Sequence, residues 1–178
     1  MSHDHEILDI LDALEPLKYS GTLWRTTWLE RDPLLGGTGG GRWNPAKKFE
    51  ALYTSLEENT SIAELNYHLS QAPVRSSCAM LICELQAKQL KLLDLTAEQL
   101  LIDLKLDNKM GADLILQSQK IGAVANFLGY QGIRVPSLRV QGGINCVLFS
   151  ERLKRSQIVV NNKHDINWPA WIKKNKMT

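Results

Sequence analysis

The stretch from Gly36 to Leu69 constrains this chain more than any other. It opens with five glycines among six residues (Gly36, Gly37, Gly39, Gly40 and Gly41, interrupted only by Thr38), and Arg42-Trp43-Asn44-Pro45 follows directly. Glycine lets the backbone take up positive φ and lets a second backbone or a ligand come close. An arginine straight after such a loop presents a planar, permanently charged fork suited to phosphate oxygens. A short apolar segment ending in Tyr53-Thr54-Ser55 comes next, then a helical stretch carrying Glu64. That order of loop, strand and helix brings Arg42, Tyr53 and Glu64 within reach of one cleft. The competing structural account makes the glycines a flexible loop, Trp43 a core residue and Arg42 a solvated charge. Two familiar nucleotide loops are excluded. No Gly-Lys-Ser/Thr follows the glycines, and no GxGxxG sits at a strand-to-helix turn, so ATP hydrolysis and hydride transfer lose their support.

At 178 residues the chain is expected to form one domain with a core that needs no disulfide or metal staple. The N-terminal MSHDHEILDILDALEP is acidic and amphipathic, without the basic and apolar regions of a signal peptide, and no apolar run approaches the roughly 18 residues of a membrane span. A cytoplasmic protein is the expectation. The three cysteines, Cys78, Cys83 and Cys146, lie in apolar, strand-like segments and show neither a disulfide framework nor a zinc pattern, so buried free thiols are expected. His3 and His5 look like a metal pair but sit at a terminus where fraying is expected. The net charge of +2 gives no ground for wholesale nucleic-acid binding. Residues 151–178 nevertheless hold seven Lys/Arg against two acids, a basic end that is either solvated or meets an acidic partner.

Hydrophobic spacing predicts an amphipathic helix over residues 5–14, stopped by Pro16, and a strand over Thr22–Leu29 with Arg25 at its middle. A charge within a largely apolar strand either reaches solvent or serves a site. Ala51–Thr54 reads as a short strand. Two capping boxes compete for the next helix, Ser55-x-x-Glu58 and Ser61-x-x-Glu64. The first is preferred, because it leaves Ile62, Leu65 and Leu69 as one apolar stripe with Glu64 mid-helix at its edge. Ser77–Leu85 and Leu90–Leu95 read as strands, with Thr96 as N-cap of a helix over Glu98–Leu104. A further helix is expected over Leu114–Leu128 with Gly129 at its C-cap, then a Gly142-Gly143 turn and a strand over Asn145–Ser150. Gln157–Val160 reads as one more strand, and Trp168 and Trp171 suggest a docked tail. The class is α+β, a mixed sheet with helices packed on it. An N-terminal helix (1–19), a core (20–150) and a basic C-terminal extension (151–178) divide the chain.

Four segments, in order, carry a resemblance that covers about residues 20–150. They are Leu23-Trp24-Arg25; Gly40-Gly41-Arg42-Trp43-Asn44-Pro45; Leu52-Tyr53-Thr54-Ser55 with Ala63-Glu64 downstream; and Gly132-Ile133-Arg134-Val135-Pro136-Ser137 with Gly142-Gly143-Ile144-Asn145-Cys146-Val147-Leu148-Phe149. With these the chain resembles the RES domain, the toxin half of bacterial Xre–RES toxin–antitoxin pairs. The resemblance implies an ADP-ribosyltransferase-like mixed β-sheet core with flanking helices and an activity that degrades NAD+. Nicotinamide is lost as water or phosphate attacks the ribose. It implies no cofactor, with NAD+ as substrate and inorganic phosphate as a possible co-substrate. It also implies an Xre-type antitoxin that blocks the cleft and binds DNA on the pair's behalf. The family's functional arginines fall on Arg25 and Arg42, its tyrosine on Tyr53, its glutamate on Glu64 and its serine on Ser137. Ala46 stands where the family commonly has glycine, and Leu138 where a small residue is usual.

Breaking the nicotinamide–ribose bond needs little help at the leaving group, which departs neutral, but positive charge develops on the ribose. A carboxylate beside the anomeric carbon stabilises that state. Glu64 is the candidate, with Arg25 and Tyr53 as further catalytic residues. Arg25 and Arg42 would pin the pyrophosphate, the glycine loop at Gly41 would add backbone donors, and Ser137 and Asn145 would bind amide or hydroxyl groups. Tyr53 offers a ring face and a hydroxyl. Trp43 borders the same site, more as a packing anchor for the loop than as a ligand contact. Each has a structural alternative: Glu64 pairing with His68 at i+4, Ser137 as a turn residue, Tyr53 as core. Two functional alternatives stay open, transfer of ADP-ribose to a protein and an inactive binding module of the same fold.

Overall fold

The computed structural model describes residues 4–71 and 79–175, so His3 and Cys78 lie outside the described residues. Helix α1 (His5–Asp12) opens on Asp4, whose carboxylate accepts from the Ile7 backbone N–H at 3.5 Å, and it buries Ile7 and Leu11. Strand β1 (Leu17–Trp28) starts five residues before the expected Thr22. Its early half is held by pairing with the far end of strand β3 (Met80–Asp94), Leu17 opposite Leu92. The two strands expected at 77–85 and 90–95 are therefore one. Gln89 takes a left-handed φ of 49° and its N–H donates to Ser20 Oγ at 2.8 Å, next to an irregularity in β1 between Tyr19 and Gly21. The two defects face each other, so the ladder continues past them.

Strand β2 (Ala51–Ser55) and helix α2 (Glu58–Gln71) follow the glycine loop. The preferred capping box is not made. Ser55 Oγ donates instead to Asn145 Oδ1 at 2.7 Å, and the helix begins only at Glu58, which keeps Glu64 mid-helix. Ile62 and Leu65 are buried with Leu69 packed beside them, the expected stripe. Helix α3 (Glu98–Asp103) is capped by Ala97 rather than Thr96, whose hydroxyl donates to Asp94 Oδ1 at 2.7 Å. Helix α4 (Gly111–Phe127) ends on Leu128, with Gly129 in the left-handed position (φ 81°) that terminates a helix at little cost in glycine. Strand β4 (Gly132–Pro136) has no counterpart in the sequence reading, because Arg134 and Pro136 break its apolar pattern. Strand β5 (Ile144–Phe149) and strand β6 (Ile158–Asp165) precede helix α5 (Trp168–Asn175). The described part of the C-terminal stretch is thus built into the fold rather than trailing from it.

The mixed sheet expected of an α+β protein is present, and its pairings close on themselves. The order is β1-β2-β5-β4-β3-β6, and β1 also pairs with β3, so five strands form a ring with β6 on the outer edge of β3. Only β3 and β4 run parallel. Leu23, Leu52, Cys83, Leu85, Cys146 and Leu148 face one another inside the ring. Cys83 and Cys146 are buried free thiols, and burial pushes Cys146 up to about 12. Outside it, Val147, Phe149, Ile133 and Val135 meet α1, α3 and α4 through Leu11, Leu104, Ile121 and Val124. A smaller cluster joins α2 to α5 across Ile82. Among the described residues no helix is long and apolar enough to cross a membrane.

Candidate active site

The glycine loop is ordered by its own backbone rather than flexible. Gly37 forms a two-bond bridge with Ala51, Gly36 N–H donates to Glu50 Oε1 at 2.7 Å, and Lys47 N–H donates to Thr38 O at 2.8 Å. Gly40 sits at φ 89°, where a side chain would be strained. The fully buried Asn44 ties the loop together, its amide donating to Gly37 O and Phe49 O while its Oδ1 accepts from Tyr53 Oη at 2.8 Å. Tyr53 Oη also accepts from Trp43 N–H at 3.0 Å, and a side chain at Gly41 would collide with that hydroxyl. Burial pushes the Tyr53 phenol up to about 12, so it stays protonated and donating at neutral pH. Trp43 is 2 % exposed and belongs to the core, so it borders the site through its backbone.

Helix α4 clamps this loop from the other side. Gln119 Nε2 donates to Gly41 O at 2.9 Å, Arg42 Nε donates to Ser118 Oγ at 3.4 Å, and Gly122 lies flat against the Trp43 carbonyl, where a Cβ would overlap it. Arg42 stacks on the Trp43 ring at 4.9 Å. Burial lowers its proton affinity below the ordinary arginine value, and the Glu64 carboxylate opposes that shift.

Glu64 is fixed from β5 and the turn before it. Ser137 Oγ donates to Glu64 Oε1 at 2.8 Å and Asn145 Nδ2 donates to the same oxygen at 2.7 Å. The Asn145 amide is itself oriented by Ser55, and Ser137 Oγ accepts from the N–H groups of Arg139 and Val140. Neither donor uses Oε2, which makes no hydrogen bond among the described residues. The i+4 pairing with His68 is not adopted; that ring lies edge-on to Tyr67. Ser137 and Asn145 thus meet at Glu64, Tyr53 orders the backbone after Gly41, and the Arg42 and Glu64 charges lie close enough to act on each other. Arg25 stands at the entrance of the loop, donating to Leu35 O at 2.9 Å, with its Nε buried and unpartnered among the described residues. A cleft of about 550 Å³ lies elsewhere, between α4 and Pro45–Phe49, lined by Lys48, Lys120 and Arg152. Volume alone points there, but the carboxylate held by ordered donors, with the half-buried Arg42 charge within reach, is the stronger candidate.

Sequence reasoning missed Asn44, Ser55, Ser118, Gln119 and Gly122. The glycine inside α4 was the one available signal, since a helix-interior glycine marks close packing. The polar residues are ordinary types whose partners lie far along the chain. Among the described residues no group of three or more His, Cys, Asp or Glu could hold a metal ion.

A closed α+β sheet with one ordered carboxylate, a half-buried arginine and a glycine loop defines the class of protein. The chain belongs to the RES domain family, whose model matches residues 22–171. It is 29% identical over 175 residues to the NAD(+) phosphorylase MbcT of Mycobacterium tuberculosis (strain ATCC 25618 / H37Rv), covering 92% of this chain and 91% of that protein. MbcT of Mycobacterium bovis matches equally. Its fold is similar to a chain of the crystal structure of the M. tuberculosis MbcT–MbcA toxin–antitoxin complex, with a TM-score of 0.84, 26% identity and coverage of 96% of this chain and 97% of that one.

Proposed function

We propose that this chain cleaves the nicotinamide–ribose bond of NAD+ with phosphate as acceptor, as the toxic half of a toxin–antitoxin pair. The observation that carries the reading is Glu64 itself. Two donors engage Oε1 and, among the described residues, none engages Oε2, so a carboxylate oxygen is presented, already oriented, with the Arg42 charge within reach. Positive charge developing on the ribose meets this fixed oxygen without reorganisation cost. Arg42 and the part-exposed guanidinium of Arg25 supply donors for the pyrophosphate, and Gly41 lets the dinucleotide approach the loop backbone. As the C–N bond breaks, its electron pair returns to the pyridinium nitrogen, and nicotinamide leaves neutral. A phosphate oxygen forms the new bond to the same carbon. No cofactor takes part, and the partner is an Xre-type antitoxin seated over the cleft. The names of the relatives, a phosphorylase and a toxin–antitoxin complex, support both halves of the proposal.

Purified protein is incubated with NAD+ with and without phosphate, beside Glu64→Gln, and the products are separated by chromatography. Phosphate-dependent nicotinamide release, reduced at least about 10²-fold by the substitution, is expected. Release unaffected by Glu64→Gln overturns the assignment, and label from the dinucleotide retained on protein would show ADP-ribosyl transfer instead. Expression without the partner is expected to arrest growth, and Glu64→Gln to relieve the arrest.

A further inference from the structure

Phosphate and Glu64 are both anions, and an attacking phosphate dianion must come close to that carboxylate. Water has no such difficulty. A site that admits phosphate therefore needs a cation on the acceptor side, beyond those that hold the dinucleotide. Arg139 is placed for this. Its backbone N–H donates to Ser137 Oγ at 3.0 Å, the same oxygen that donates to Glu64. Its guanidinium carbon lies 3.3 Å above the ring of Tyr67, which is one turn beyond Glu64 on α2. The turn that carries it is rigid: Ser137 N–H donates to Gly143 O at 2.8 Å, Gly143 N–H to Val140 O at 3.0 Å, and Gly142 holds φ 74°. Stacking occupies the face of a guanidinium and leaves its in-plane N–H donors open. Among the described residues no acceptor engages them. The same charge is felt by Arg42, whose proton affinity it depresses while Glu64 raises it.

We propose that Arg139, held on Tyr67, binds the attacking inorganic phosphate beside Glu64 and so sets the preference for phosphate over water. The inference rests on the NAD+-cleaving reading of the site and names its acceptor subsite. The balance is simple: a phosphate oxygen bonds to the ribose carbon as nicotinamide leaves with the C–N electron pair, and Arg139 only holds the dianion.

Two measurements on the full chain test it. In steady-state kinetics Arg139→Gln is expected to raise KM for inorganic phosphate about tenfold or more, to leave KM for NAD+ within about twofold, and to raise the share of hydrolysis product. Arg139→Lys, which keeps the charge but not the fork, falls between. In thermal melts without NAD+, inorganic phosphate is expected to raise Tm of the wild type and of the distant Arg155→Gln control, but not of Arg139→Gln. A raised KM for NAD+ instead would place Arg139 on the pyrophosphate, and unchanged kinetics with Glu64-dependent cleavage intact would leave it without a role; either overturns the inference. Absent cleavage together with an Arg139-dependent phosphate melt would refute the NAD+ reading while the phosphate site stood.

Discussion

Arg25 donates through Nη2 to Leu35 O, which also accepts a longer bond from Arg31, and its Nε is buried without a partner among the described residues. Burial, with Arg31 adding like charge, lowers its pKa from the ordinary arginine value to about 10. The cation is therefore held at a cost to stability. Because the folded-state pKa is the lower one, the unfolded chain keeps its proton from about 10 up to the ordinary arginine value, so the cost is complete below pH 10 and is relieved as pH rises through that window. The full shift would amount to about 3 kcal/mol, which contact with solvent and the lost Leu35 bond reduce to about 1 kcal/mol. Arg25→Met is expected to stabilise the protein by about that amount in denaturant titrations at pH 7 and to abolish NAD+ cleavage; at pH 11 the gain shrinks. A variant destabilised at pH 7 would show that the Leu35 bond outweighs burial. Strand patterning was enough to mark Arg25 as a charge out of place. Its neighbours Arg31 and Glu50 were not legible, because each is brought there by a side-chain bond to the backbone of Gly36, which no strand pattern encodes.

The glycine loop and α4 act as one element. Sequence alone placed the loop beside a strand and a glutamate helix, and the structure brings those three together. The helix that clamps it starts some 70 residues later, and the sequence shows it only as a helix over Leu114–Leu128 ended by Gly129, with nothing to tie it to the loop. Ser118, Gln119 and Gly122 lie on its loop-facing side, and the absence of a side chain at 122 lets the helix touch the Trp43 carbonyl. Gly122→Ala would favour the helix by propensity yet force it off the loop, an overpacking cost of about 1–3 kcal/mol. Because the displaced residues carry Arg42 rather than Glu64, KM for NAD+ is expected to rise more than kcat falls. An unchanged KM, measured in the same cleavage assay, would show that the clamp does not position Arg42. Strand β4 escaped notice for a related reason: it gains its place by pairing with Leu92–Asp94 and Ile144–Phe149, partners remote in sequence.

Across the whole molecule, Glu64 comes from α2, Ser137 and Asn145 from the β4–β5 end of the ring, and Arg42 from the loop beneath α4. The ring fixes β5 relative to β2, and so fixes two of these layers. Helix α2 has a different support. Ile62 and Leu65 pack with Ile82 and Ile166, Trp168 and Trp171 stack edge-to-face at 6.1 Å, and Trp171 Nε1 donates to Asn59 Oδ1 at 2.9 Å. The tryptophans near Pro169 gave away a docked tail in the sequence, but not that it backs the helix bearing the glutamate, since four of the six strands lie between α2 and α5 along the chain. The tail meets α2 through Asn59, Ile62 and Leu65, and the bonds of Ser137 and Asn145 to Glu64 do not pass through it. Removing its anchor should therefore loosen the fold without altering the chemistry of molecules that remain folded. Trp171→Ala loses a partly buried ring and one hydrogen bond, and a destabilisation of about 1–3 kcal/mol is expected in thermal or denaturant unfolding. Nicotinamide release per folded molecule, measured well below the variant's Tm, should stay within about twofold of wild type. A large drop in kcat with little loss of stability would mean that α5 sets the position of Glu64, and that the site extends through α2 to the C-terminal helix.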